Sequence, residues 1–347
     1  MRETERLGRF KIFLFVLVNL ICFQITAQVF PDVIVDSLLK TGIKLVVNQN
    51  YTHAEKVFTE LNTKYPELPF GKIYLAANKI AEAYDFAEEF DSEFITENLE
   101  SAILQAEKLE EINNGNIWYK YYASLAEGYS SYFEAIKGNW FSAFSTGISS
   151  ISTFEEILDD DKNFYEAYIA IGTFEYWKSK KLEFMNWLPF SDDTKEIGID
   201  LLIVAIDSSS YNSHLAMNSL IWIYIDQDQF QNAVKVAQKA LKEFPESRTF
   251  KWGMARAYEE INPETSIKLY LQILNSYPKL PDGNFINEIT LKHLIAQQYV
   301  KIGDNESALK YCNEILSIKN LPPEVKVKMN DRLKRVKELK SELTPKM

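Results

Sequence analysis

Small residues, aromatics and prolines recur at fixed distances along this 347-residue chain, and that recurrence restricts the fold more than any other feature. In residues 38–66, Gly42 lies twelve positions before Ala54, Phe58 four after Ala54, and Pro66 eight after Phe58. Residues 214–247 repeat the pattern with Leu220, Tyr224, Ala233, Ala237, Ala240 and Pro245. Residues 248–280 do so with Ala255, Tyr258, Ser266, Tyr270, Ile273 and Pro278, the internal turn being one residue shorter. Residues 289–320 give Ala296, Tyr299, Ala308, Cys312 and Ile315. A small side chain lets the second helix of a hairpin approach the first closely. The residue one turn later fills the gap to the next helix. Proline ends the second helix, because its ring clashes with the preceding turn and it lacks an N–H.

Four such motifs in register resemble the tetratricopeptide (TPR) superfamily, with a period near its 34 residues: Pro245 and Pro278 stand 33 apart. The resemblance implies an all-α solenoid of helical hairpins wound into a right-handed superhelix, spanning residues 28–347 as one domain. The middle of the chain departs from the strict repeat but stays helical. In 116–136, Trp118, Tyr122, Leu125, Tyr129, Tyr132 and Ile136 form one apolar face, and in 139–158 Trp140, Phe144, Ile148, Ile151, Phe154 and Leu158 form another. These predict irregular, longer helices joined by a turn at 137–139. Residues 72–90 and 93–111 read as a further pair. A first helix over 164–177 finds its partner only near Lys195, which makes 178–194 an insertion loop. A charged helix over 323–341 reads as a polar cap. Over about 115–205 the aromatic helices, the Gly-Asn-Trp turn and the Trp-Leu-Pro of the insertion also resemble a eukaryotic TPR-like family linked to inclusion-body clearance.

Composition narrows the alternatives. Only 12 Gly and 11 Pro leave too little punctuation for a sandwich or barrel of short strands. A net charge of −11, without a prominent basic run, speaks against a nucleic-acid partner. At the N-terminus, Arg2, Arg6, Arg9 and Lys11 precede the apolar run 12–23, and Ala27 supplies a small residue at its exit. That is the layout of a secretory signal peptide over 1–27. The run falls short of the ~20 residues a spanning helix needs, so no membrane span is expected after cleavage. The expected compartment is the periplasm, with secretion or an uncleaved N-terminal anchor as alternatives. Removing 1–27 also removes Cys22 and leaves Cys312 unable to form an intramolecular disulfide, so the core must hold the fold.

No catalytic residue, metal ligand or cofactor emerges. His53, His214 and His293 lack second ligands at zinc spacing. The acids at Asp159–Asp161 and at Asp226 and Asp228 lack the alternating ligands and the Gly of a calcium loop. Phosphate-cradling glycine loops, dinucleotide fingerprints and nucleophile elbows are missing. Cys312 occupies the repeat's aromatic position, where packing is the expected role.

What remains is a surface. By resemblance, ligand-contacting side chains of the first helices fall at Asn218 and Trp222, Trp252 and Arg256, and His293 and Gln297. The insertion adds Trp187 and Phe190 among three nearby lysines, an apolar crowding expected of a lid or docking loop. The expectation is a non-enzymatic protein-interaction scaffold in the bacterial cell envelope, holding a protein or peptide segment in its concave groove. The alternative is an exported helical repeat protein that binds a glycan or small ligand.

Overall fold

A computed structural model describes residues 28–113, 116–182, 193–278 and 285–344. Fifteen helices and no strand form among them. They are α1 (Val33–Val47), α2 (Tyr51–Lys64), α3 (Phe70–Phe86), α4 (Ser92–Ile112), α5 (Ile117–Ile136), α6 (Trp140–Asp160), α7 (Tyr165–Leu182) and α8 (Lys195–Ser208). Then follow α9 (Ser213–Asp226), α10 (Phe230–Glu243), α11 (Arg248–Ile261), α12 (Pro263–Ser276), α13 (Phe285–Lys301), α14 (Asn305–Leu316) and α15 (Pro323–Leu343). Every helix packs on the next, giving seven hairpins in series and a final helix. The first helices also touch one another, α1 on α3, α3 on α5, α7 on α9 and α9 on α11, so they form the inner layer. This is the all-α hairpin solenoid that the repeat spacing predicts.

The repeat positions do the packing assigned to them. Ala54, Ala233 and Ala308 are fully buried, and a methyl group on Gly42 would collide with the Phe58 ring. Cys312 is buried among Ile289, Ala296, Ile315 and Val336, and burial raises its thiol pKa. Four hairpin turns share one device. The second residue past the first helix, at Gln49, Gly138, Asp228 and Gly303, has positive φ. The next N–H then reaches the carbonyl five residues back, as in Asn139 to Glu134 and Gln229 to Tyr224, closing the helix end. The shorter turn before α12 uses Asn262 as cap, accepting from Thr265, with Pro263 in the first turn.

The boundaries shift in places. The pair expected at 72–90 and 93–111 is α3 and α4. The former ends at Phe86, where Ala87 turns left-handed. The helix expected to stop at 177 continues to Leu182, so the first five residues of the expected 178–194 insertion are helical. Residues 183–192, with Trp187 and Phe190, lie outside the described residues, as does the expected signal peptide at 1–27. The cap helix runs two residues beyond 341.

The solenoid curls back on itself, which the repeat spacing did not announce. The Phe30 N–H donates to the Tyr211 hydroxyl at 2.8 Å, and that hydroxyl donates to Asp36 at 2.6 Å. Further along the seam, the N–H groups of Glu246 and Arg248 donate to the side chains of Asn48 and Gln49 at 3.2 and 2.7 Å. The first hairpin thus closes against the starts of α9 and α11, and one apolar cluster runs from Phe30 to Ala257.

Candidate functional site

Among the described residues, the inner face is the candidate that the repeat chemistry nominates, and the curl divides it. At the N-terminal ends of α9 and α11 it is filled by the chain itself. Glu166, buried at the start of α7, accepts from the N–H groups of Ser210 and Tyr211 at 2.7 Å each. It also accepts from Asn212 at 2.9 Å and the Tyr121 hydroxyl at 3.2 Å. Burial raises the Glu166 pKa even though these donors oppose the shift. Around it the Tyr74 and Tyr122 hydroxyls and Asn212 Oδ1 are buried without a partner among the described residues. This polar centre ties α5, α7 and α9 together. No spacing rule could have found it, because the tyrosines read as ordinary apolar positions on their helices.

The middle and C-terminal ends of the inner helices hold the sequence-nominated residues. On α9, Trp222 keeps 36% of its surface exposed, whereas Asn218 is half-buried with Oδ1 unpartnered among the described residues. On α11, Trp252 is half-buried, its ring edge-on to Tyr270 at 5.4 Å. One turn on, Arg256 pairs with Glu259 at 2.6 Å and keeps 40% of its side chain accessible. Glu259 is itself shared, accepting from the Tyr270 hydroxyl at 2.6 Å. On α13, Gln297 is exposed but His293 is not. His293 is 2% exposed, because α15 crosses α13 and sets Arg332 Nη1 3.4 Å from His293 Nδ1. The expectation that His293 lines an open groove is therefore corrected: the C-terminal helix covers it. Burial and the charges of Arg332 and Arg335 push its pKa down to about 4, so the ring is neutral at ordinary pH.

Arg332 and Arg335 are the contributors that sequence reasoning missed. The signal was present as an excess of basic over acidic residues within 323–341, read there only as a polar cap. Elsewhere the acids flagged for calcium turn to protein contacts: Asp159 pairs with Lys162, Asp160 with Lys120, and Asp226 with Lys180 and the Tyr176 hydroxyl. Among the described residues no group of three or more His, Cys, Asp or Glu is placed to hold a metal ion. No helix among them is long and apolar enough to cross a membrane.

A family model for the tetratricopeptide repeat matches residues 220–247, which hold the end of α9 and all of α10. No curated protein matches the sequence. Among solved structures, a monomeric mutant of IFIT1 in complex with Gppp-AAAA aligns at 12% identity and a TM-score of 0.46. The alignment covers 84% of this chain and 61% of that one, so this chain spans about three fifths of its length. A tetratricopeptide repeat protein of Parabacteroides merdae aligns at 13% identity and a TM-score of 0.36, over 88% of this chain and 99% of that one. The C-terminal part of a TPR repeat-containing protein of Cytophaga hutchinsonii aligns at 18% and 0.36, over 85% and 99%. At these identities and scores they say nothing about partners. A tetratricopeptide repeat at 220–247 thus sits among helical hairpins stacked in series on both sides of it, the architecture of tetratricopeptide-repeat proteins.

Proposed function

We propose that the protein is an exported, non-catalytic scaffold of a bacterial cell envelope, which takes a segment of a protein partner along its inner helices. The observation that carries this reading is the outward reach of Trp222, Arg256 and Gln297. They are successive inner-helix positions that keep solvent-facing surface while their neighbours Ile221, Ala257 and Gln298 are buried. Repeat scaffolds present such strips of large, adaptable side chains, and buried alternation around them holds the strip rigid. The charged n-region and apolar run before Ala27 support export.

Site-specific photo-crosslinking tests it. A photoreactive residue at Gln297 should capture a discrete protein in envelope fractions, and one at exposed Glu306 on α14 should not. Mass spectrometry of the same preparation should find Gln28 as the N-terminus. Equal capture at both positions, or none at Gln297 or Trp222, overturns the groove. An intact Met1 overturns the exported form.

A further inference from the structure

We propose that the segment held by the inner helices is acidic, and that Arg332 and Arg335 of the C-terminal helix seat it together with Arg256. This rests on the groove reading above and adds the chemistry of the occupant. The chain carries a net charge of −11, yet α15 holds seven Lys or Arg against four Asp or Glu. A protein this acidic has carboxylates to spare, and still two of these guanidiniums are left without one. Among the described residues neither Arg332 nor Arg335 forms an ion pair. Arg332 is half-buried with the His293 ring as its hydrogen-bonding neighbour, and Arg335 is exposed beside buried Val336.

The third guanidinium does not relieve them. Burial, followed by the charges of Arg335 and of Arg256 on α11, holds the Arg332 pKa below the usual guanidinium range. Glu259, the acid beside Arg256, is already committed to Arg256 and Tyr270, and Lys301, which donates to the Glu259 carbonyl, is paired with Glu260. His293 contributes no negative charge and, being neutral, can only accept from Arg332. Like charges repel, so Arg332, half-buried and unpaired beside two other guanidiniums, costs stability unless an anion completes it. Guanidinium forks match carboxylates two bonds at a time, and the half-buried Trp252 one turn before Arg256 offers an apolar wall beside them. A nucleic-acid strand fits less well: its phosphates need an extended basic track, whereas this cluster is confined to one end of an acidic protein.

The test uses residues 28–347 and labelled twelve-residue peptides read by fluorescence anisotropy. One probe is rich in Asp and Glu, a second replaces these with Asn and Gln, and the third is a twelve-nucleotide oligothymidylate. The acidic peptide should bind in a salt-sensitive manner and the neutral one should not. Arg332→Gln with Arg335→Gln should weaken the acidic peptide about tenfold or more. Arg335→Gln, at an exposed position, should weaken it with an unchanged melting curve. Lys326→Gln with Lys328→Gln, exposed on the same helix, should leave affinity within about twofold, since rim charges contribute little at equilibrium. Equal binding of the neutral peptide, undiminished binding by the double arginine variant, or tighter binding of the oligonucleotide each overturns the proposal. If Gln297 still crosslinks a partner while the acidic preference is missing, the inference about charge falls and the groove stands.

Discussion

Arg248 clasps Asp85 across 163 residues of sequence, its Nε 2.9 Å from one carboxylate oxygen and its Nη2 on the other. Both side chains are nearly inaccessible, at 7% and 12%. The guanidinium lies over the Tyr277 ring at 4.6 Å and the Phe86 ring at 5.5 Å. Tyr51 donates to the same carboxylate at 3.0 Å, and Asn287 to the Asp85 carbonyl at 2.7 Å. One residue at the end of α3 thereby gathers α2, α11 and the elements on both sides of the link between α12 and α13.

Breaking this pair from one side strands a buried charge, which typically costs about 3–5 kcal/mol. Asp85→Ala and Arg248→Met should each lower the unfolding free energy from urea titration by that order. The double variant should cost less than the sum, because no charge is left behind. Additive losses would show that the two residues stabilise independent parts of the curl.

The other seam depends on one hydroxyl. Tyr211→Phe removes the acceptor for the Phe30 N–H and the donor to Asp36, at 2.8 and 2.6 Å. The Phe30 N–H is left without its acceptor and Asp36 keeps only Lys40, so about 1–3 kcal/mol should go. Hydrogen exchange should localise the loss to α1 and the segment before it. Protection that stays unchanged at Phe30 would mean the hairpin is held by packing with Phe70 and Trp118.

These two seams mark the limit of what the sequence made legible. The hairpins, the turns and the buried roles of Ala54, Ala233 and Cys312 follow from local spacing, because each repeat packs against its neighbour. Asp85 with Arg248, and Glu166 with residues 210–212, join segments far apart in the chain. Curvature summed over many hairpins sets such meetings, and no single period reports it. On the inner face, Trp222, Arg256 and Gln297 were legible as exposed positions of first helices. His293 was misjudged because α15 folds back over α13, a contact that belongs to no repeat. Arg332 and Arg335 went unnoticed for the same reason.

Covering His293 should leave a trace in the pH dependence of stability. Burial, followed by the charges of Arg332 and Arg335, lowers its pKa from 6.5 to about 4. The unfolded chain therefore binds a proton between these values while the folded one does not. This contribution is present in full above about pH 6.5 and is lost as pH falls toward 4. Its slope approaches about 1.4 kcal/mol per pH unit. His293→Gln removes the titration, so wild type should lose stability more steeply than the variant between pH 6.5 and 4.5. Parallel curves from urea titrations would show that the ring titrates normally.

Two glycines that look alike in the sequence should respond to the same substitution to different degrees. On α8, a methyl at Gly198 would stand 2.5 Å from the Gly172 carbonyl oxygen and 2.9 Å from the Tyr176 nitrogen, both backbone atoms of α7. A methyl at Gly172 would meet the Gly198 carbonyl oxygen at 2.8 Å, so the close approach is reciprocal. Backbone cannot swing aside as a side chain can. Gly198→Ala should therefore cost at least the upper part of the ~1–3 kcal/mol usual for overpacking, by forcing α7 and α8 apart. At the α5–α6 turn, Gly138 has φ of +87° and nothing within 4 Å of an added methyl. There Gly138→Ala should cost only backbone strain, about 1 kcal/mol. Thermal melts of the two variants side by side decide the matter. A Gly198→Ala protein as stable as Gly138→Ala would mean that α7 and α8 are not in backbone contact at Gly172.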